Sequence, residues 1–253
     1  MLDISHLVVI GCSLSYGTGL ANPKEDSWVG ILSKKLNVPV VNLSSPGSGN
    51  DRIMRRLFEY HFLNSSKNNN PFYILPFSHS SRREEYMRAA NDYLVMSMKP
   101  TPAMMEKNTY SSLFLLNYDS FIAARRKLMF RSYVSDFLNI NNINYLVTDF
   151  IPDREDQLKS LREIYPIVYE KIYTDKYRLK NLSEISIKYP SLPDGHDGVE
   201  AQLEMGNYIH DELIVRYNEP NIKIQDYTTR LEYIAHYYPD SFNKGFISES
   251  EWL

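Results

Sequence analysis

Short apolar runs alternate with segments of helical spacing in the N-terminal part of the chain. Three runs rich in β-branched or aromatic residues predict strands: 7–10, 38–41 and 72–77. The segments between them, 26–36 and 50–62, place apolar residues three and four positions apart and begin near residues that can cap a helix. Strands separated by helices pair in parallel through right-handed crossovers. The pattern therefore predicts an α/β fold, a three-layer α/β/α sandwich.

The pattern changes after the third predicted strand. Residues 84–98 and 110–140 have helical spacing, and Pro100 and Pro102 separate them. The sequence therefore predicts a helical insertion over about 84–140, on the side of the sheet where the third strand ends.

The C-terminal half returns to strands and helices. Residues 145–148 predict a fourth strand, which is followed by a helix near 155–175 and another from 197 to about 217. A fifth strand is left open between two short alternating runs, 185–189 and 222–224.

Composition places the chain among ordinary globular proteins. Its 253 residues are 43% hydrophobic and 23% charged, which excludes a disordered or fibrous protein and favours a single domain over residues 1–253. A net charge of −3 gives no basic field for nucleic acid. One cysteine excludes a disulfide framework and a multi-cysteine zinc site, and no His, Asp or Glu set has metal-ligand spacing. We therefore expect no metal or other cofactor and no nucleic-acid partner.

The apolar runs also bear on location and assembly. None approaches the ~18 residues of a membrane span, and no signal peptide is recognised, so we expect a cytoplasmic protein without a membrane partner. Tyrosine is abundant, 20 of 253 residues, which points to an AT-rich genome; a viral origin would make the protein virion-associated. The aromatic-rich tail, 219–253, covers an apolar face or joins two subunits, so a homo-oligomer is left open.

The loop after the first predicted strand, residues 11–19, is the main candidate for chemistry, because open α/β sheets bind ligands beyond the carboxyl ends of their strands. It contains three glycines and, besides a tyrosine, three hydroxyl side chains. Four interpretations compete. The first is a phosphate loop, although the lysine of a Walker loop and the dinucleotide spacing are missing. The others are a nucleophilic Cys12, a structural turn and a nucleophilic Ser13.

Three blocks of this sequence resemble the SGNH or GDSL hydrolases. Residues 11–17, Gly-Cys-Ser-Leu-Ser-Tyr-Gly, are similar to the first block of that family, Gly-Asp-Ser-x-x-x-Gly. Residues 40–51 resemble the second block, with Gly47 as its glycine, and residues 193–198 resemble the last. The blocks occur in the family's order on a matching pattern of strands and helices.

The resemblance implies a flavodoxin-like, mostly parallel sheet and a serine esterase that acts on a small acyl ester, with O-acetyl esters of carbohydrate as the commonest substrates. Ser13 would be the nucleophile, His196 the base, and Asp194 the group that orients the imidazole. The implied donors to the oxyanion are the backbone of Ser13, Gly47, and either Ser78 or Asn50.

The sequence departs from the family in three places. The block Gly-x-Asn-Asp, expected after the third strand, is missing from residues 75–84, which resemble a phage-like variant where Ser78 would replace the asparagine. Cys12 replaces the aspartate of the first block, which is neither nucleophile nor base. One residue instead of two separates Asp194 from His196.

Three further expectations complete the sequence analysis. The missing asparagine block favours, as an alternative, a catalytically silent module that binds a glycan or assembles with partners in a virus particle. Arg82 and Arg83 follow the third strand. Arg82 is the candidate for binding an anionic group of a substrate, and an ordinary helix-start or surface salt-bridge role is the alternative. The basic run 125–127 is expected to be a solvated helix face.

Overall fold

Helices and strands alternate along the chain in the computed structural model, which describes residues 4–64, 70–87, 92–96, 118–173 and 178–218. The strands are β1 (His6–Val9), β2 (Val40–Asn42), β3 (Pro71–Phe77), β4 (Arg83–Met87), β5 (Asp92–Met96) and β6 (Tyr145–Asp149). The helices are α1 (Ser13–Tyr16), α2 (Pro23–Asp26), α3 (Trp28–Leu36), α4 (Asn50–Asn64), α5 (Ser120–Ile140), α6 (Glu155–Ile164), α7 (Pro166–Tyr173), α8 (Ser183–Ser186) and α9 (Val199–Asn218).

A parallel sheet of four strands, in the order β2-β1-β3-β6, lies at the centre. Successive side chains of a strand point to opposite faces. Leu7 and Val9 therefore join the core beneath α3 and α9, whereas Val8 and Ile10 join the core beneath α4 and α5. The predicted three-layer sandwich with a mostly parallel sheet is confirmed.

Local sequence signals account for the two helices that flank β2. The Ser27 hydroxyl caps α3 by accepting a hydrogen bond from the Gly30 N–H at 3.3 Å. Gly30 is required there because a Cβ would stand 2.1 Å from the Lys24 carbonyl oxygen. The helix predicted from residue 50 is α4, and it buries Ile53 and Leu57 against the sheet.

The helix predicted over residues 84–98 is wrong, because β4 and β5 form an antiparallel hairpin there. Tyr86 and Tyr93 face each other across it with ring centroids 5.2 Å apart, and the Arg55 guanidinium of α4 lies 4.0 Å from the Tyr93 ring. Cross-strand aromatic pairs and contacts with α4 outweigh the helical spacing of this segment. The rest of the predicted insertion is helical in α5, and residues 97–117 lie outside the described residues.

Two smaller expectations also change. The helix predicted near 155–175 is divided into α6 and α7, because Pro166 holds Tyr165 out of the helical region, at φ −126° and ψ 55°. Residues 185–189 include the end of α8 and form no strand. The sheet is extended instead by a single parallel bridge between Arg178 and Val147. Residues 222–224 and the tail 219–253 lie outside the described residues.

Candidate active site

The loops after β1, β2 and β3 meet at the carboxyl edge of the sheet, and hydrogen bonds join the first two. The Gly11 N–H donates to the Ser44 hydroxyl at 2.9 Å, and the Ser45 N–H donates to the Gly11 carbonyl at 3.3 Å. The Asn42 amide donates to the Ser15 carbonyl at 2.9 Å. These contacts fix α1, which begins at Ser13, against the loop that contains Gly47.

Ser13 is the first residue of α1, and its side chain is nearly buried. The first N–H groups of a helix have no partner within the helix, so the Ser13 N–H is available to a ligand. Gly17 ends the helix in the left-handed conformation, at φ 85°, and donates to the Ser13 carbonyl at 3.0 Å. Cys12, the rival nucleophile, is buried with 1% exposure.

Gly47 occupies a tight turn between β2 and α4. Its φ of 77° lies in the left-handed region, which explains the need for glycine. Among the described residues, no turn or loop hydrogen bond uses the Gly47 N–H. The predicted second donor is therefore unoccupied at this edge of the sheet.

Asn50 and Ser78, the two candidates for a side-chain oxyanion donor, contact each other. The Ser78 N–H donates to Asn50 Oδ1 at 2.7 Å, and Asn50 Nδ2 donates to the Ser78 carbonyl at 3.1 Å. Both residues are buried, with exposures of 3% and 1%. The pairing uses both backbone groups of Ser78. The donors that remain for an oxyanion are the hydroxyl hydrogen of Ser78 and the second Nδ2 hydrogen of Asn50.

Arg82 contacts the side chain of Ser78. Its Nη1 donates to the Ser78 hydroxyl oxygen at 3.1 Å, which leaves the hydroxyl hydrogen to point elsewhere. A backbone hydrogen bond from the Arg82 N–H to the His79 carbonyl, at 3.2 Å, closes this turn. The neighbouring Arg83 instead forms an ion pair with Glu85.

Asp194 and His196 lie together in the turn between α8 and α9. The His196 N–H donates to Asp194 Oδ1 at 3.0 Å, and it lowers the pKa of the Asp194 carboxyl. His196 Nδ1 is buried and lies 3.1 Å from Asp194 Oδ2, close enough for an ion pair although its alignment falls short of a hydrogen bond. A carboxylate at Nδ1 leaves Nε2 to face a nucleophile.

Gly19 joins this turn to the loop after α1. A Cβ on Gly19 would stand 2.8 Å from Asp194 Oδ2, so the carboxylate rests against the glycine backbone. Sequence reasoning missed this residue, whose only signal was a glycine in a candidate loop. Within the described ranges no hydrogen bond joins the Ser13 hydroxyl to His196. Catalytic hydrogen bonds of unliganded enzymes are often long and tighten with substrate.

The basic run 125–127 is not the solvated face that was expected. Only Arg125 is exposed, Arg126 is half-buried, and Lys127 is 2% exposed. Lys127 Nζ lies 3.0 Å from Asp149 Oδ1, and Arg131 Nη1 donates to Asp149 Oδ2 at 2.8 Å.

The end of β6 therefore carries a buried charge cluster. Burial alone would raise the pKa of Asp149, but Arg131, Lys127 and Arg178 together lower it. Asp153 is also buried and lies 3.4 Å from Lys127 Nζ.

The part of the chain that the structure describes contains neither a metal-binding cluster nor a membrane-spanning helix. No group of three or more His, Cys, Asp and Glu side chains in these ranges is arranged to hold a metal ion. No described helix is long and apolar enough to cross a membrane.

No protein-family model and no curated protein matches this chain. Solved structures do resemble it. A psychrotrophic esterase, EstA from Pseudoalteromonas sp., is 14% identical, with a TM-score of 0.54 over 85% of this chain and 99% of its own. TesA is 14% identical, with a TM-score of 0.51 over 82% of this chain and 97% of its own. A GDSL-like lipase from Bacteroides thetaiotaomicron is 12% identical, with a TM-score of 0.44 over 83% and 88%. At this identity the likeness concerns the fold, and the chain has the α/β fold of the SGNH/GDSL esterases.

Proposed function

We propose that the protein is a serine esterase of the SGNH type that hydrolyses a small acyl ester through Ser13, His196 and Asp194. The observation that carries this proposal is the contact between Gly19, in the loop after α1, and the turn that pairs Asp194 with His196. This contact supports a site in which the nucleophile comes from the loop after β1, and the base and its orienting carboxylate come from a distant part of the sequence.

In the first half of the reaction, Ser13 Oγ attacks the ester carbonyl carbon and its proton moves to His196 Nε2. Asp194 stabilises the imidazolium from the Nδ1 side. The tetrahedral intermediate collapses, the bond to the alcohol oxygen breaks, and the imidazolium returns the proton to that oxygen. The acyl group remains on Ser13 as an ester.

In the second half, a water molecule attacks the acyl carbon and gives a proton to His196. Collapse of the second intermediate releases the carboxylic acid and returns the proton to Ser13. An acceptor other than water would make the same intermediate transfer the acyl group.

The oxyanion formed in both halves needs donors that are in place before the reaction. The N–H groups of Ser13 and Gly47 supply two. The third is the Ser78 hydroxyl, whose oxygen already accepts a hydrogen bond from Arg82, or the second amide hydrogen of Asn50. Loss of one such donor typically costs about 10²–10³ in kcat.

The substrate class is an ester with a small acyl group, as the resemblance to the SGNH family implies. O-acetyl esters of carbohydrate are the first candidates. The buried setting of Ser13 favours a slender acyl group over a bulky one, because little of the side chain is open to solvent.

Hydrolysis of 4-nitrophenyl acetate by the purified chain tests the proposal, with Ser13→Ala as the inactivating variant. Ser15→Ala is the matched control, because the Ser15 hydroxyl is buried in the same helix and has no hydrogen-bond partner among the described residues. We expect the wild type and Ser15→Ala to release nitrophenol and Ser13→Ala to match the blank. A folded wild type at the blank rate, or an active Ser13→Ala, would contradict the proposal and favour the silent binding module.

A further inference from the structure

Two arginines beside the candidate site have no carboxylate partner in the part of the chain that the structure describes. Arg82 and Arg126 are both half-buried, and neither is within 4.0 Å of an Asp or Glu oxygen in these ranges. Arg126 Nη2 lies 3.4 Å from the Arg82 carbonyl, so both side chains border the turn that carries Ser78.

The neighbouring carboxylates are already occupied. Glu84, whose side chain is 3% exposed, pairs with Arg52 and with Arg55, the latter at 3.1 Å. Asp51 accepts hydrogen bonds from the backbone N–H groups of Arg52, at 3.0 Å, and Glu84, at 2.6 Å. Neither carboxylate contacts Arg82 in the described ranges.

The surplus positive charge is costly to the free protein. Burial lowers the pKa of Arg126 more than the charges of Asp51 and Glu85 raise it, and the nearby Arg83 lowers it further. A half-buried guanidinium without a counter-ion gains more from an anionic ligand than an exposed one does, because less water competes for it.

We infer that the ester substrate carries an anionic group, a carboxylate or a phosphate, which the free N–H groups of Arg82 bind next to Ser78 while Arg126 adds to the local positive field. This inference rests on the proposed esterase and specifies its substrate class. Arg82 thereby has two partners: Nη1 remains on the Ser78 hydroxyl, and the remaining N–H groups hold the substrate. An anion held there would fix the ester relative to the oxyanion donors.

A matched set of acetyl esters tests this inference. The probes are 4-acetoxybenzoate, 4-acetoxyphenyl phosphate and the neutral methyl 4-acetoxybenzoate, each with kcat/KM normalised to its rate of hydrolysis by hydroxide. We expect at least one anionic ester to exceed the neutral ester by about tenfold or more in the wild type, since hydrogen bonds to charged groups are among the strong ones. The two anionic probes separate planar carboxylate recognition from tetrahedral phosphate recognition.

Variants assign the preference to residues. In Arg82→Gln and in Arg126→Gln the ratio of anionic to neutral kcat/KM should fall toward 1. Arg125→Gln is the control: it removes the same charge from an exposed position of α5, and the ratio should stay at the wild-type value. Equal or slower turnover of both anionic esters by an active wild type would overturn the inference and leave the esterase intact.

A binding measurement keeps the two proposals distinguishable if no ester is hydrolysed. Calorimetric titration of the full chain with 4-hydroxybenzoate and with phenyl phosphate would then report the anion site alone. Binding that Arg82→Gln weakens about tenfold would support the anion site and reject the esterase. No binding of either anion would overturn the inference.

Discussion

Asn50→Ala is expected to destabilise the fold because Asn50 binds both backbone groups of Ser78. The amide replaces two partners that a neighbouring strand would otherwise supply, with hydrogen bonds of 2.7 and 3.1 Å. Alanine removes both, and at 1% exposure Ser78 has little access to water as a substitute.

The magnitude follows from these two bonds. A buried backbone group that loses its only partner costs about 1–3 kcal/mol, so two give about 2–6 kcal/mol in the free energy of unfolding. For a chain of this length, each 1 kcal/mol corresponds to about 2–4 °C in Tm. We therefore expect Tm to fall by at least about 4 °C.

Urea and thermal denaturation, followed by circular dichroism, measure this change. Ser78→Ala is the control, because it removes the hydroxyl but keeps the Ser78 backbone and its pairing with Asn50. Ser78→Ala removes the hydrogen bond from Arg82 Nη1 to the Ser78 hydroxyl. Because Arg82 is half-buried and water can replace this bond, we expect the variant to lose less than about 1 kcal/mol of stability. If Asn50→Ala and Ser78→Ala have the same Tm, the assigned role of the Asn50 amide is wrong.

Two further predictions concern the site and the buried charges. Gly19→Ala should lower kcat/KM by about tenfold or more, because the new Cβ would displace Asp194. Gly195→Ala is the control: Gly195 has a φ of 81° and no atom within 4 Å of an added Cβ, so kcat/KM should fall less. Equal losses of kcat/KM in steady-state kinetics would contradict this prediction. Asp149→Asn should cost about 3–5 kcal/mol, because it leaves Arg131 without its carboxylate and Lys127 with Asp153 alone. Because the folded pKa of Asp149 lies below its ordinary value, its contribution is full above that value and is lost as the pH falls through the folded pKa. The urea midpoints of wild type and variant should therefore keep a constant separation at neutral pH and draw together only below the ordinary Asp149 pKa of 3.8. A separation that shrinks already near neutral pH, or that does not shrink in acid, would refute this assignment.

The fold could be predicted where local pattern and burial coincide. β1 and β3 are short apolar runs that are buried on both faces, and α3 and α4 each have one core face and a recognisable start. The antiparallel pairing of β4 with β5 could not be predicted, because its stability comes from the Tyr86–Tyr93 pair and from Arg55, which belongs to another element. Spacing along the chain carries no information about such contacts.

The candidate site was predictable only as a set of separate residues. Three blocks in family order indicated Ser13, Gly47 and His196, and each follows from its own short motif. The approach of Gly19 to Asp194 could not be foreseen, because the two residues are far apart in the sequence. The prediction that residues 125–127 form one solvated face was wrong for a geometric reason. Successive helical residues point about 100° apart, so three in a row cannot share one face.

The central claim is that Ser13 is an activated nucleophile served by His196. Intact-mass spectrometry after treatment with a small fluorophosphonate tests it most directly, in wild type, Ser13→Ala and His196→Ala. We predict one adduct on wild type, none on Ser13→Ala, and a labelling rate on His196→Ala that is lower by about two orders of magnitude, which general-base catalysis typically contributes. An unlabelled but folded wild type, or an adduct that persists on Ser13→Ala, would contradict it.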